Sequence, residues 1–235
     1  MPKDLASLSL TQTAYERLRA DLLACRLCPG ERLRINDLCV ALGVSLSAVR
    51  EALSRLTAEG LVVAEPQRGF RAAPISDAEL RDLTAVRIEI ETLCLRRSLA
   101  AGDVGWEERL VAAHHRLSRT PARDVDDPHR VAEPWAEAHA AYHAALVAGC
   151  DSPWLLRLRG ILYAQTERYR RLSVPLARME RDLPREHREI MEAALARDVD
   201  GACALLASHF ELTSTILLDA GQGAVMGDAV AGRAC

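Results

Sequence analysis

The sequence predicts a mainly α protein, in which three helices and a β-hairpin precede an all-helical bundle of six or seven helices. The 235 residues suffice for two domains that each bury a core. Apolar residues recur every three or four positions along most of the chain, and strand-like runs occur only within residues 61–72. Pro74 and the Ser76-Asp77 pair interrupt this pattern. We therefore place the two domains at 1–74 and 75–220, followed by a Gly- and Ala-rich tail, 221–235, that is predicted to be disordered.

The N-terminal domain is predicted to contain three helices, at about 11–27, 35–42 and 46–59. Gly43 closes the second helix and Ser45 caps the third, so the two are joined by a tight turn. Two strand-like runs flank the turn formed by Pro66 to Gly69. This order of elements is typical of a winged helix-turn-helix.

The second domain reads as helix throughout, apart from a Pro-containing charged loop at 120–128. Six helices are predicted, at about 80–101, 104–119, 131–148, 153–173, 183–197 and 199–219. The inward stripe expected for the first of them consists of Leu80, Leu83, Val86, Ile90 and Leu93.

Composition narrows the class of protein. The first 75 residues carry ten Lys or Arg against eight Asp or Glu, whereas the remainder has a net charge of −5. A mildly basic N-terminal part on an acidic remainder fits a DNA-binding domain joined to a domain that does not bind DNA. No run approaches the ~18 apolar residues that span a bilayer, and no signal peptide is evident. The expectation is a cytoplasmic protein without a membrane partner.

Several short stretches between residues 29 and 69 resemble the DNA-binding domain of the GntR family of transcriptional regulators. They are Pro29-Gly30-Glu31-Arg32-Leu33, Leu42-Gly43-Val44-Ser45, Val49-Arg50-Glu51-Ala52-Leu53, Glu59-Gly60-Leu61-Val62 and Arg68-Gly69. The resemblance implies binding to a double-stranded, palindromic operator as a homodimer. The residues that we expect to contact DNA are Arg32, Ser45, Leu46, Ser47, Arg50, Arg68 and Gly69.

The residues themselves support this interpretation. If Val49, Leu53 and Leu56 are buried, the start of the third helix faces outward and can enter the major groove. Arg50 can then bond to guanine or clamp a phosphate, unless it pairs with Glu51 or Glu31 instead. The chain departs from the family at Leu46, where most members carry Arg, and at Ala48, where proline is frequent. Leu46 donates no hydrogen bond, although it can contact a thymine methyl group.

Four histidines are predicted to face inward on three helices of the second domain. His139 and His143 are four residues apart and share one helix face, His187 lies on the next helix but one, and His209 interrupts an apolar stripe on the last. One buried histidine is usually a hydrogen-bonded core residue. Four buried imidazoles without partners would be costly, whereas a shared metal ion would satisfy all of them.

This layout resembles the ligand-binding domain of the FadR-type branch of GntR regulators, known as the FCD domain, and among its subgroups the carbon-starvation regulators of dicarboxylate breakdown. The resemblance implies a divalent metal (zinc, with nickel or manganese as alternatives) on His139, His143, His187 and His209. It also implies a small organic acid as effector, for which the candidate residues are Arg87, Tyr163, Gln165 and Arg168. The last arginine could instead be solvated or paired with a glutamate, as could Arg87.

His139 stands where most members of this branch have Asp. Replacing a carboxylate by a neutral imidazole raises the net charge of a divalent site by one, so the site should favour an anionic effector. A metal-dependent hydrolase built on the histidine cluster is the alternative function. The sequence lacks H-E-x-x-H and G-x-S-x-G patterns, so we expect no enzyme. A helical interaction module with structural histidines is a further alternative.

Overall fold

The computed structural model describes residues 3–127, 131–176 and 181–223. The chain divides into two compact units, one reaching Asp77 and the other spanning Ala78–Gly223.

The first unit is a winged helix-turn-helix, as predicted. Its elements are α1 (Lys3–Leu23), β1 (Arg32–Leu33), α2 (Ile35–Leu42), α3 (Leu46–Ala58), β2 (Val62–Glu65) and β3 (Gly69–Ala72). The three strands form an antiparallel sheet in the order β1-β3-β2. The sequence did not reveal β1, because two residues are too few to show an alternating pattern.

An apolar core fixes α1 against α3. Leu18 and Leu22 of α1 and Leu53 of α3 are almost completely buried in the same cluster. Glu59 strengthens this packing, since it accepts hydrogen bonds from the Tyr15 hydroxyl and, at 3.0 Å, from Arg19 Nε. Gly43 ends α2 in the left-handed conformation that the tight turn requires (φ 66°). Because its inner face is packed against α1, α3 presents its outer face in a fixed orientation.

The second unit is all-helical in its described residues. It contains α4 (Asp77–Ala101), α5 (Val104–Arg119), α6 (Glu133–Leu146), α7 (Pro153–Leu176), α8 (Leu183–Leu195) and α9 (Val199–Gly223). Its core includes Trp106, Tyr142 and Leu206, each at most 1% exposed. The predicted helical order is confirmed. The predicted tail begins too early, since 221–223 continue α9; positions 224–235 lie outside the described residues.

The stripe predicted for α4 is wrong in part. Val86 and Leu93 are 40% and 42% exposed, whereas Arg87 and Glu91 are 7% and 1% exposed. A buried ion pair between Arg87 and Glu91 makes the burial of these charges tolerable. Hydrophobic periodicity fails here because the helix turns its polar side inward.

Among the residues that the structure describes, one helix, α9, is long and apolar enough to cross a membrane by length and composition. Its inner side packs in the core of the second unit, where Leu206 and Phe210 are buried. The core helix of a soluble protein meets the same criterion, so this helix is weak evidence for a membrane.

Candidate DNA interface and candidate metal centre

The start of α3 presents polar side chains outward. The hydroxyl of Ser45 accepts a hydrogen bond from Ala48 N (3.3 Å) and lies 3.0 Å from that of Ser47. Leu46 is 46% exposed and Arg50 is exposed. Because the opposite side of the helix is sealed in the core, these four residues are available to a groove.

The hairpin places further cations at the surface. Arg68 lies exposed in the β2–β3 turn, Gly69 lies exposed at the first position of β3 with a φ of 90°, and Arg32 is exposed on β1. Arg71, in contrast, is held within the sheet by Glu65 (3.1 Å) and by the carbonyl of Gly30. It therefore stabilises the hairpin.

Glu31, one of the possible partners for Arg50, is engaged elsewhere. Its carboxylate accepts a hydrogen bond from Cys28 N at 2.8 Å. This contact closes the turn that leads into β1, which favours the DNA-binding interpretation of Arg50.

The structure brings the four candidate metal ligands together. His139 and His143 lie on α6, His187 on α8 and His209 on α9, and each is 1–4% exposed. One nitrogen from each ring lies within 4.8 Å of the corresponding nitrogens of the others. The Nε2 atoms of His139 and His143 are 3.2 Å apart, close to the roughly 3.4 Å expected of two tetrahedral ligands that are about 2.1 Å from one zinc ion.

The electrostatic environment keeps these rings neutral. Burial lowers the pKa of His139, His143 and His187 well below the usual value, and the neighbouring histidines lower it further. Burial also lowers the pKa of His209, although the hydrogen bond with Glu186 acts in the opposite direction. Neutral imidazole is the form that binds a metal ion.

Three ring nitrogens in the cluster are buried without a hydrogen-bond partner: His139 Nδ1, His143 Nδ1 and His187 Nε2. Buried polar atoms are normally satisfied. An ion bound through Nε2 of His139 and His143 would leave their Nδ1 atoms without a partner, so of these three atoms only His187 Nε2 could be satisfied by such an ion. Four neutral nitrogen donors at this spacing fit a divalent transition metal such as zinc.

The sequence analysis missed two residues behind the cluster. Glu186 Oε2 lies 2.7 Å from His209 Nδ1, and Arg181 makes a two-pronged ion pair with Glu186 at 2.8 Å on both sides. The only sequence signal for Glu186 is its place directly before His187. Nothing local in the sequence indicates Arg181, because its partners are five and 28 residues away.

A pocket that is partly open to solvent adjoins the cluster, since His139 and His209 belong to its lining. Arg87, the first predicted effector residue, lines this pocket together with Arg170 and Phe210. The other three predicted effector residues lie on α7 but are not part of the lining: Tyr163, Gln165 and Arg168. Of these, Arg168 is buried and the other two are half-buried.

Several buried arginines lie near this pocket, and two of them share a single carboxylate. Glu91 binds Arg159 at 2.8 Å and Arg87 at 3.4 Å, which leaves one positive charge uncompensated in that trio. Glu167 binds Arg170. Burial raises the pKa of Glu167, but the neighbouring guanidinium of Arg170 lowers it, and the net pKa is below the usual value. The interior of the second unit is therefore suited to an anion.

A winged helix-turn-helix unit with exposed cations at its recognition helix, joined to an all-helical unit, defines the class of HTH-type transcriptional regulators. The comparisons with known proteins specify the family. The profile for bacterial regulatory proteins of the gntR family matches residues 10–71, and the FCD domain profile matches residues 82–212. The chain belongs to the GntR family and carries an FCD domain.

Curated relatives agree with this assignment. The HTH-type transcriptional regulator BphR of Paraburkholderia xenovorans (strain LB400) is 42% identical over 209 residues, covering 89% of this chain and 85% of the relative. The HTH-type transcriptional repressor GlaR of Escherichia coli (strain K12) is 34% identical over 199 residues, covering 83% and 90%. The chain is thus a transcriptional regulator and not an enzyme, and the hydrolase alternative finds no support.

Solved structures share the fold. E. coli McbR/YncC aligns with a TM-score of 0.73 at 21% identity, covering 89% of this chain and 97% of that one. A GntR regulator from Rhodococcus sp. RHA1 aligns with a TM-score of 0.72 at 23% identity, covering 90% and 98%. At this level of identity, the likeness shows the architecture alone.

Proposed function

We propose that this protein is a cytoplasmic repressor whose grip on its operator is controlled by a small organic acid, bound beside a divalent metal ion in the second unit. One observation carries the proposal: four buried histidine donors lie within 4.8 Å of one another, and two of those histidines line a pocket that Arg87 and Arg170 also line. This combination offers a metal and a cationic surface to the same ligand.

The metal ligands in this proposal are His139, His143, His187 and His209. Zinc suits four imidazole nitrogens, and nickel or manganese are the alternatives. A bound divalent ion supplies a Lewis acid to which a carboxylate oxygen can coordinate. The protein contributes neutral donors and a buried site from which most water is excluded.

The charge of the site supports an acidic effector. All four ligands are neutral, so they leave the full charge of the ion uncompensated, and the trio of Arg87, Arg159 and Glu91 adds one more positive charge. Guanidinium groups bind carboxylates in a bidentate manner. Arg87 also stacks on Phe210, with 3.9 Å from Cζ to the ring centroid, which holds it at the pocket. A cationic pocket beside the histidine cluster is also consistent with the sequence resemblance to the regulators of dicarboxylate breakdown.

Operator recognition is assigned to the outward residues of the first unit. Ser45, Leu46, Ser47 and Arg50 would face the major groove, and Arg32, Arg68 and Gly69 would follow the DNA backbone from the hairpin. One such unit reads few base pairs, so a palindromic operator bound by a homodimer is expected. Effector binding would shift the population of dimers away from the spacing that the operator needs.

The second unit offers a face for that dimer. Trp154, Leu158 and Ile161 follow one another at helical spacing on α7 and are 68%, 44% and 51% exposed. Exposed apolar stripes of this kind mark contact surfaces. A charge at its centre, Leu158→Glu, should turn a dimer in sedimentation analysis into a monomer. The control Val125→Glu, at a valine outside the stripe that is 91% exposed, should leave the dimer intact.

The decisive experiment measures operator binding by fluorescence anisotropy on duplexes taken from the DNA around the gene. Protein loaded with zinc should bind one such fragment, and a panel of mono-, di- and tricarboxylates should contain acids that release it. Metal-stripped protein should keep its affinity for DNA but lose the response to acids. A response that persists after stripping would contradict the role of the metal, and the absence of binding to every fragment would contradict the whole proposal.

The His139→Asp variant tests the charge argument. It lowers the net charge of a metal-bound site by one, and its affinity for the effector acid should fall by about tenfold or more, which corresponds to ~1.4 kcal/mol. Isothermal titration of both proteins, with zinc content checked, measures this directly. An undiminished affinity for the acid would show that the imidazole at position 139 has no such role.

A further inference from the structure

His209 is the one histidine of the cluster whose second ring nitrogen is held by a carboxylate in the described part of the chain. Its Nδ1 lies 2.7 Å from Glu186 Oε2. On His139 and His143 the same ring atom, Nδ1, is buried and has no hydrogen-bond partner. The four ligands are therefore not supported equally.

Arg181 locks this carboxylate in place. Its Nε and Nη2 donate to the two oxygens of Glu186 at 2.8 Å each, and Nη2 also donates to the carbonyl of His209 at 2.9 Å. Its Nη1 donates to Thr213 Oγ1 at 2.9 Å. One guanidinium thus joins the beginning of α8 to two successive turns of α9. Only 9% of the Arg181 side chain is exposed, so solvent screens these contacts little.

The chemistry of these groups fixes the tautomer of His209. Arg181 donates to both oxygens of Glu186 at 2.8 Å, which is the two-pronged geometry of a guanidinium on an ionised carboxylate. Arg181 Nη2 also lies 3.3 Å from Nδ1, but its two hydrogens are donated at shorter distances to Glu186 and to the carbonyl of His209. An ionised carboxylate can only accept, so Nδ1 of the ring donates to Glu186 and carries the proton. A neutral ring with a proton on Nδ1 has its free lone pair on Nε2, and that nitrogen can bind a metal ion.

We propose that Arg181 and Glu186 are a positioning pair that sets the tautomer and orientation of His209 and thereby determines how tightly the histidine cluster binds its metal. The proposal rests on the metal site of the proposed function. Carboxylate support of this kind orients a ligand and raises its basicity, and its removal typically costs 10–100-fold in metal affinity. Neither residue touches the ion in this proposal.

The first experiment needs no metal. Long-range ¹H–¹⁵N correlation spectra of the metal-free protein at pH 7.5, with His209→Gln used to assign the ring, report which nitrogen is protonated. Wild type should show His209 protonated at Nδ1, and Glu186→Leu should lose this preference. A wild-type ring protonated at Nε2, or a spectrum that Glu186→Leu leaves unchanged, would overturn the proposal.

The second experiment measures zinc affinity in competition with a fluorescent chelator. Glu186→Gln keeps an acceptor but removes its charge, and it should weaken zinc binding by 10–100-fold. Glu189→Gln is the matched control, because Glu189 lies on the same helix and forms an exposed ion pair with Arg185 (2.6 Å). This control should stay within about twofold of wild type. Equal affinities of Glu186→Gln and wild type would overturn the proposal.

Thermal melts of the metal-free proteins separate positioning from folding. If Glu186→Gln melts far below Glu189→Gln, Arg181→Lys is used in its place, since lysine keeps the positive charge but cannot donate to both carboxylate oxygens. This variant should also weaken zinc binding. An affinity for zinc equal to that of wild type would overturn the proposal. A wild-type protein that binds no metal would contradict the proposed function, while the tautomer of His209 would still test whether Arg181 and Glu186 position this ring.

Discussion

The two units of this protein differ in where their candidate functional residues lie: at the surface of the first unit and in the interior of the second. In the winged helix-turn-helix, the core is apolar, and the candidate DNA contacts stand outside it, with Leu46 46% exposed and Arg50 exposed. In the all-helical unit, the candidate ligands are part of the interior, where His143 is 1% and Glu91 1% exposed. A DNA groove must be reached from the surface, whereas a small ligand is best enclosed.

This difference has an energetic consequence. Residues on the surface of the first unit can be changed with little effect on folding. Buried charges and imidazoles in the second unit are costly to bury and must compensate one another. Changes there should therefore affect stability and function together, and the following experiments test that contrast from the largest expected effect to the smallest.

Acidification should destabilise the second unit strongly. The four histidines of the cluster have lowered pKa values when folded, so below about pH 6.5 the unfolded chain binds protons that the folded chain does not. The contribution of the four neutral rings to the free energy of unfolding is fully present above that pH and is lost as the pH drops. For four groups, the slope of this loss approaches about 5 kcal/mol for each pH step of one.

Urea titrations of metal-free protein between pH 7.5 and 5.5 measure this effect. All three tryptophans (106, 135 and 154) belong to the second unit, so their fluorescence reports that unit selectively. An unfolding midpoint that does not move with pH would contradict the neutral state of the cluster.

Glu91→Gln should cost about 3–5 kcal/mol of folding free energy, because it leaves Arg87 and Arg159 buried without their shared carboxylate. Asp151→Asn is the control. It breaks an exposed ion pair with Arg97 (3.0 Å) and should cost at most about 1 kcal/mol. Chemical denaturation of both variants gives the comparison, and equal losses would show that burial of the Glu91 trio is energetically irrelevant.

Arg50→Ala should weaken binding to the operator by about 1–3 kcal/mol and relax the preference for one base pair, if its guanidinium reads guanine. The melting temperature should hardly change, since the side chain is exposed. Anisotropy on the operator and on an unrelated duplex separates two roles: an equal loss on both would mean that Arg50 contacts phosphate instead of a base.

Ser45→Ala should cost only about 1 kcal/mol of folding free energy, through the loss of the N-cap of α3. Ser47→Ala removes only the hydroxyl that faces Ser45 and should change the stability by less than about 0.5 kcal/mol. Thermal melts followed by circular dichroism compare the two. A Ser47→Ala loss larger than that of Ser45→Ala would reverse the assignment of the cap.

Predictions from the sequence succeeded where local pattern and burial agree. Helix α2 has the bounds that were expected, and its end is marked locally by Gly43, whereas Arg34 at its start makes no side-chain cap hydrogen bond. The four histidines were found because their helices are amphipathic and their spacing places them on inward faces. On α4, the same reasoning misplaced Val86 and Leu93, since apolar side chains were assumed to face inward.

The sequence by itself determined that this chain has a winged helix-turn-helix and a helical domain with four inward histidines, because these features follow from local periodicity and caps, while DNA binding was inferred from the resemblance to the GntR family. Only the tertiary structure decided which charges are buried, which arginines line the pocket, and that Arg181 and Glu186 stand behind His209. Those arrangements depend on contacts between helices that are distant in sequence, and burying a charge is tolerable only where such a partner is present.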